Sequence, residues 1–231
     1  MTTVALVPAH NEAGRITATV TAARAIPGVS RVFVVDDAST DDTGNLALAA
    51  GAEVLRLHTN VGKGAALDEG LARVRDEADV LLLLDGDLGS SASQGDLLLA
   101  PVLAREADMT VATFPPSELK AGFGLVKGLA RRGIRVLGGS AARAFPATAP
   151  LSGQRAMTRA CWERVTPFAF GYGVEVALTV RALRCGLRVV EVPTAMEHAA
   201  TGRDVAGFSH RGIQFAHVAG ALLRLAFERR R

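Results

Sequence analysis

Covalent cross-links, aromatic surfaces and membrane-length apolar runs are all scarce in this sequence. It has two cysteines in 231 residues, Cys161 and Cys185, and no CxxC spacing or metal-ligand pattern joins them. A disulfide framework and a zinc site are therefore not indicated, and both thiols are expected to be reduced and buried, in a cytoplasmic protein. A single tyrosine, Tyr172, and a single tryptophan, Trp162, leave an aromatic share of 5%, and no RNA-type stacking platform is visible. Nucleic acid is not an expected partner. No segment reaches the roughly 18 uninterrupted apolar residues of a membrane span; the nearest approach, 213–227, contains Gln214, His217 and Arg224. The opening MTTVALVPAHNE has neither the basic region nor the apolar stretch of a secretory leader, and none is expected.

What is present describes an ordinary globular chain. Hydrophobic residues make up 49% and charged residues 21%, enough to bury a sizeable core in one domain covering 1–231. The net charge of +3 suits anionic small substrates and an anionic membrane surface equally well, so it restricts partners only weakly.

The stretch VLLLLDGDL, Val80 to Leu88, is an apolar run ending in two carboxylates, Asp85 and Asp87, one residue apart. Such a run fits a central parallel strand covered on both faces, whose carboxyl end opens into a ligand crevice. Carboxylates that close raise each other's pKa unless a cation lies between them, and hard ions such as Mg2+ or Mn2+ take oxygen ligands and bring phosphates with them. A metal-bound diphosphate is one reading; the other is a plain turn, since Asp and Gly are common there.

Before that strand, β-type runs at Thr3–Val7, Arg31–Val35 and Glu53–Leu57 alternate with helical segments at 13–25, 46–50 and 65–77. This alternation predicts βαβ units and a parallel sheet with right-handed crossovers. Loops at Pro8, Asp36, Asn60 and Asp85 would then meet at one sheet edge. They carry acidic acceptors and Lys63, set between Gly62 and Gly64, although the phosphate-loop pattern GxxxxGK[ST] is absent. Later, helices are expected at 96–107, 159–165 and 174–185, strands at 108–114 and 187–192, and a strand or sheet edge at 151–157. Residues 122–139 read as a mobile loop and basic helix.

VPAHNE, VVDDASTDDT, NVGKGAAL and LLLLDGDL, in this order, followed by GYGVEVAL and a late histidine, resemble a family 2 glycosyltransferase. The resemblance implies a GT-A fold: α/β, with a Rossmann-like, mostly parallel sheet flanked by helices. Residues 1–110 would form the nucleotide-sugar half, 111–200 the acceptor half and 201–231 a basic tail and helix. The second half is similar to glucosyl-3-phosphoglycerate synthases through PLSGQRAM and GYGVEVAL, and more loosely to dolichyl-phosphate mannose synthases. The loop AGFGLVKGLARRGIR departs from both and leaves the acceptor open.

Carried onto this sequence, the resemblance implies that Pro8, Ala9 and Glu12 contact the base and ribose, and that Asp36 or Asp37 helps hold uridine. Lys63 would lie near the base or phosphates, Asp85 and Gly86 would face the ribose or sugar, and Asp87 with His198 would bind Mg2+ or Mn2+. On the residues' own chemistry, Gly153, Arg155, Tyr172 and Glu175 are candidates to meet the acceptor, Tyr172 by stacking on a sugar unless it simply packs, and Glu175, as base or acceptor ligand, is a catalytic candidate with Asp85. Glu175 also fits as a carboxylate that merely favours its helix dipole.

Lys120, Lys127, Arg131 and Arg132 are candidates to meet a phosphorylated acceptor, and Arg203 and Arg211 to close over the diphosphate, although surface cations are usually solvated. Trp162 is expected to pack. An apolar helical face at Ile213, Ala216, Leu223 and Phe227 reads as a packing or dimer surface before a lipid-facing one. The expected activity is transfer of a sugar from UDP-glucose or a similar UDP-sugar to a small, phosphorylated acceptor. Alternatives are a polyprenyl-phosphate glycosyltransferase at the membrane surface and a non-catalytic sugar-nucleotide-binding protein. No membrane span is expected; peripheral membrane contact and a homodimer are left open.

Overall fold

Apolar side chains on both faces of consecutive short strands force helices onto both sides of a sheet. The computed structural model describes residues 1–114, 124–197 and 205–228. Strands Thr3–Ala9 (β1), Val29–Asp36 (β2), Glu53–Arg56 (β3), Val80–Leu83 (β4), Met109–Thr113 (β5), Arg155–Thr158 (β6) and Val189–Pro193 (β7) form one seven-stranded sheet, ordered β3-β2-β1-β4-β6-β5-β7. The chain is a single α/β domain, and both halves of the sequence contribute to that sheet.

Alternate residues of β1 face opposite layers. Ala5, Val7 and Ala9 pack with helices Ile16–Arg24 (α1), Thr43–Ala49 (α2) and Gly95–Leu103 (α4). Val4 and Leu6 pack with helices Lys63–Val74 (α3), Arg159–Val165 (α6) and Val174–Arg184 (α7). A third cluster joins α7 to helices Gly124–Leu137 (α5) and Val205–Phe227 (α8), through Ile134, Val180 and Leu222 among others. Trp162 is buried, with Arg159 above its ring, so it packs as expected.

Two expectations are refined. Of the two readings of 151–157, the strand holds and the sheet edge does not: β6 lies between β4 and β5 and runs antiparallel to both, with Leu83 paired to Arg155. Its reversed direction brings its amino end, Gly153 and Gln154, to the edge where the parallel strands finish. The strand of the VLLLLDGDL run ends at Leu83, ahead of the two aspartates, and Leu84 and Leu88 stay buried. Lys63 is not in a loop but opens α3, behind Gly62 at φ 83°, a conformation that suits glycine.

The face of α8 also differs. Val218, Ala221, Leu222 and Leu225 are buried, whereas Leu223 is 63% and Phe227 82% exposed, and Ala216 is exposed as well. The side chain of Ile213 lies outside the described part of the structure. Packing on α5 and α7 selects one stripe of a helix that is apolar on more than one side.

Candidate active site

The carboxyl ends of β1, β2 and β4 and the start of α3 converge on a cleft of about 340 Å³ lined by Pro8, Ala9, His10, Glu12, Asp37, Lys63, Asp85, Gly86 and Asp87. The loops that follow β1 and β2 each carry a non-glycine residue at positive φ, Asn11 at 58° and Ala38 at 56°. Such backbone is uncommon and is held only where its surroundings enforce it. Here Asn11 Oδ1 accepts from the Thr40 amide at 2.8 Å, and the Asn11 amide donates to Ser39 Oγ at 3.0 Å, tying the two loops together.

The neighbouring aspartates at the end of β2 have different tasks. Asp36 is buried and accepts from the Ser39 amide at 3.0 Å, with Arg56 4.0 Å away. Asp37 reaches the cleft, and its two carboxylate oxygens accept the Val61 and Gly62 amides, each at 2.8 Å. It thereby fixes the turn that delivers Lys63.

Lys63 Nζ lies 2.7 Å from Asp85 Oδ1 and 3.0 Å from Glu175 Oε1, joining β4, α3 and the first turn of α7. Burial alone would depress the Lys63 ammonium, but the two carboxylates outweigh it and the net shift is upward. Glu175 is 6% exposed, so its role is tied to this lysine as well as to the helix terminus. Gly153 stands beside the pair: a Cβ there would lie 2.5 Å from Lys63 Nζ and 2.9 Å from Asp85 Oδ2.

Asp87 lies on the same loop as Asp85, anchored from α1. Thr19 Oγ1 donates to the Gly86 carbonyl at 2.9 Å and accepts the Gly89 amide at 2.8 Å, and Arg15 Nη1 donates to the Asp87 carbonyl at 3.1 Å. Gly86 packs against β1, where a Cβ would come within 3.1 Å of Ala9 Cβ. Glu12 faces this loop, and burial, then Asp87 and Asp85, raise its carboxyl above the ordinary value.

Arg155 departs from its expected part in meeting an acceptor. It is fully buried, donating from Nε to the Ser152 carbonyl at 3.0 Å and from Nη1 to Thr179 Oγ1 at 2.9 Å, and desolvation pushes its guanidinium down to about 10. A strand interior to the sheet turns this side chain into the core, where no acceptor reaches it. Its neighbour Gln154 holds the site instead, with Nε2 donating to Asp85 Oδ2 at 2.6 Å. Gln154, His10 and Thr19 were not singled out by sequence. Gln154 adjoins the motif glycine, but a mid-helix threonine carries no signal of its own. Lys127, Arg131 and Arg132 do not line the cleft. His198, Lys120 and Arg203, and the side chains of Tyr172 and Arg211, lie outside the described residues.

Residues 4–127 match the profile described as glycosyl transferase family 2. The chain belongs to that family. The family 2 chain is 31% identical over 207 residues to glycosyltransferase AglJ of Haloferax volcanii, 86% of this chain and 64% of the relative. It is 30% identical over 205 residues to an undecaprenyl-phosphate mannosyltransferase of Micrococcus luteus, 84% and 82% of the two lengths. A crystal structure of glucosyl-3-phosphoglycerate synthase from Mycobacterium tuberculosis, in complex with Mn2+, uridine diphosphate and phosphoglyceric acid, superposes with a TM-score of 0.79 at 26% identity. That likeness covers 99% of this chain and 79% of the other. The chain spans 64% of the haloarchaeal relative and 54% of the glucosyl-3-phosphoglycerate synthase of Mycolicibacterium paratuberculosis. The fold is accordingly the GT-A arrangement of these enzymes.

Proposed function

We propose that this family 2 chain transfers a sugar from a UDP-sugar to a hydroxyl of a small, phosphorylated acceptor. One observation carries the reading: carboxylates from the loops after two parallel strands, Glu12, Asp85 and Asp87, line a single cleft at the sheet's carboxyl edge together with Lys63, whose ammonium pairs with Asp85. The bound Mn2+, uridine diphosphate and phosphoglyceric acid of the mycobacterial structure support donor, metal and acceptor class alike.

The oxygen donors around Asp87 suit a hard divalent ion, and Glu12, whose carboxyl is raised first by burial and then by Asp87 and Asp85, adds to the negative charge such an ion would offset. Asp87 would hold Mg2+ or Mn2+, which when bound offsets the charge of the departing diphosphate. Among the described residues no three His, Cys, Asp or Glu side chains are grouped as a metal site, so further ligands would come from His198 or from phosphate. Pro8, Ala9 and Glu12 line the cleft together with Asp37, and base and ribose would sit against them. Asp85 and Gly86 would face the sugar. Lys63 keeps Asp85 and Glu175 in register and adds positive charge near the leaving group. Gly153, beside Lys63, leaves room for the acceptor hydroxyl, and Glu175 would accept its hydrogen bond. Tyr172 keeps its expected place near the acceptor by sequence alone.

A second acceptor class, a polyprenyl phosphate, is favoured by the undecaprenyl-phosphate mannosyltransferase relative, 82% of whose length the chain covers. Calorimetric titration of UDP and GDP with and without Mn2+ tests the donor site, comparing wild type with Asp87→Ala. UDP binding that needs metal and is lost in the variant is expected; no binding of either nucleotide under any condition would sink the reading. Screening phosphoglycerate against a polyprenyl phosphate then separates the acceptors.

A further inference from the structure

We propose that α5 and α8 together form a docking surface for an anionic lipid bilayer. The surface lies outside the donor cleft and does not depend on how that cleft is read.

α5 carries four cations, Lys127, Arg131, Arg132 and Arg135, and no acidic residue. Arg131 turns inward to donate to the Ala147 carbonyl at 3.1 Å, but Lys127, Arg132 and Arg135 are exposed. Arg132, with Arg135 at its edge, shares a helix face with two apolar side chains that meet solvent, Leu125 at 82% and Val136 at 70% exposure, while Lys127 lies on the other flank. On α8, Leu223 and Phe227 are 63% and 82% exposed and lie one turn apart, with Phe215 46% exposed two turns before. Single exposed apolar residues need no explanation, but five on two adjacent helices, interleaved with cations, do.

The two helices form one slab. Gly133 of α5 meets the Leu222 side chain so closely that a Cβ would overlap it, and Ile134 and Val218 continue the shared core. Neither helix is long and apolar enough to cross a membrane. What remains is a surface element with buried stems, exposed Leu, Val and Phe, and a cationic fringe, the composition that settles at the headgroup boundary of anionic membranes. The alternative occupant is a second copy of the chain. A two-fold contact through this slab would bring the same cationic patch from both copies together, which like charges oppose. Charge complementarity therefore selects the lipid. The slab is also mechanically close to the site: α8 packs His217 and Ala221 against Gly171 and Gly173, the turn that leads into α7 and Glu175.

Flotation of the full chain with vesicles of phosphatidylcholine alone, or containing about one third phosphatidylglycerol, tests this. Binding to the anionic vesicles only, weakened by salt, is expected. Leu223→Ser with Phe227→Ser, and separately Arg132→Glu with Arg135→Glu, should each weaken it at least ~10-fold. Both pairs are exposed, so folding should survive, and unchanged UDP binding would show that the donor site is intact. Absence of binding to anionic vesicles would overturn the proposal, as would binding that neither pair of substitutions reduces. A wild-type dimer dissociated by Leu223→Ser with Phe227→Ser would assign the surface to a second copy instead.

Discussion

Lys63 Nζ lies 3.0 Å from Glu175 Oε1 across 112 residues of sequence. The contact closes the first half of the chain onto the second, and through Asp85, 2.7 Å from the same nitrogen, onto the central strand. The Lys63 pKa is raised in the fold, so the stabilisation from this contact is complete below the ordinary lysine value of 10.5 and is lost only as pH rises through the elevated one. It is constant from neutral to mildly alkaline pH.

Lys63→Met should leave two carboxylates facing each other without their cation. Breaking a fully buried pair costs roughly 3–5 kcal/mol; with the lysine side chain 29% exposed, a loss of ~2 kcal/mol is expected after discounting for solvent. Chemical denaturation at pH 7 and 9 should give the same deficit, and metal-dependent UDP binding should fall at least ~10-fold. A variant with wild-type stability would show that the three groups are not coupled.

Gly153→Ala should cost more in function than in stability. Its Cβ would lie 2.5 Å from Lys63 Nζ and 2.9 Å from Asp85 Oδ2, so the ammonium must move off its carboxylates and the melting temperature should fall, by no more than in Lys63→Met. The displaced ammonium would no longer align Asp85 and Glu175, and turnover should drop by ~10- to 100-fold. A steep fall in melting temperature with full specific activity would reverse this assignment.

Glu12 should govern the response of the donor site to acid. Its carboxyl is raised by burial and by Asp87 and Asp85. The folded chain therefore holds this proton to higher pH than the unfolded chain does. Glu12's contribution to stability declines as pH rises from 4.5 through the elevated value. Without metal, Glu12→Gln should melt above wild type at pH 7, with the gap closing near pH 4. Added Mn2+ should release protons from wild type at pH above the ordinary glutamate value of 4.5 and fewer from Glu12→Gln, as read by calorimetry in buffers of different ionisation enthalpy. Equal proton release would remove Glu12 from the charge cluster.

Much of the fold was legible because its signals are local. The apolar runs at β1, β2 and β4 announce strands, and their spacing by helical segments announces parallel pairing. Asp85 and Asp87 stood out because carboxylates directly after a buried run have few places to go. The antiparallel pairing of β6 was not legible, although a strand there was: four residues, Arg155–Thr158, do not encode their neighbours, and the register of Leu83 with Arg155 joins segments about seventy residues apart. That register buries Arg155 and carries Gln154 to Asp85, reversing the rank sequence gives to those two adjacent polar side chains.

By itself the sequence determined where strands and helices alternate and which loop bears the paired aspartates, since backbone periodicity and turn chemistry act over a few residues. Only the tertiary structure decided that Asp37 rather than Asp36 borders the cleft, that Lys63 bridges Asp85 and Glu175, and which face of α8 is buried. Each of those choices rests on contacts between segments far apart in the chain, and chain periodicity carries no information about which of several suitable partners will pack there.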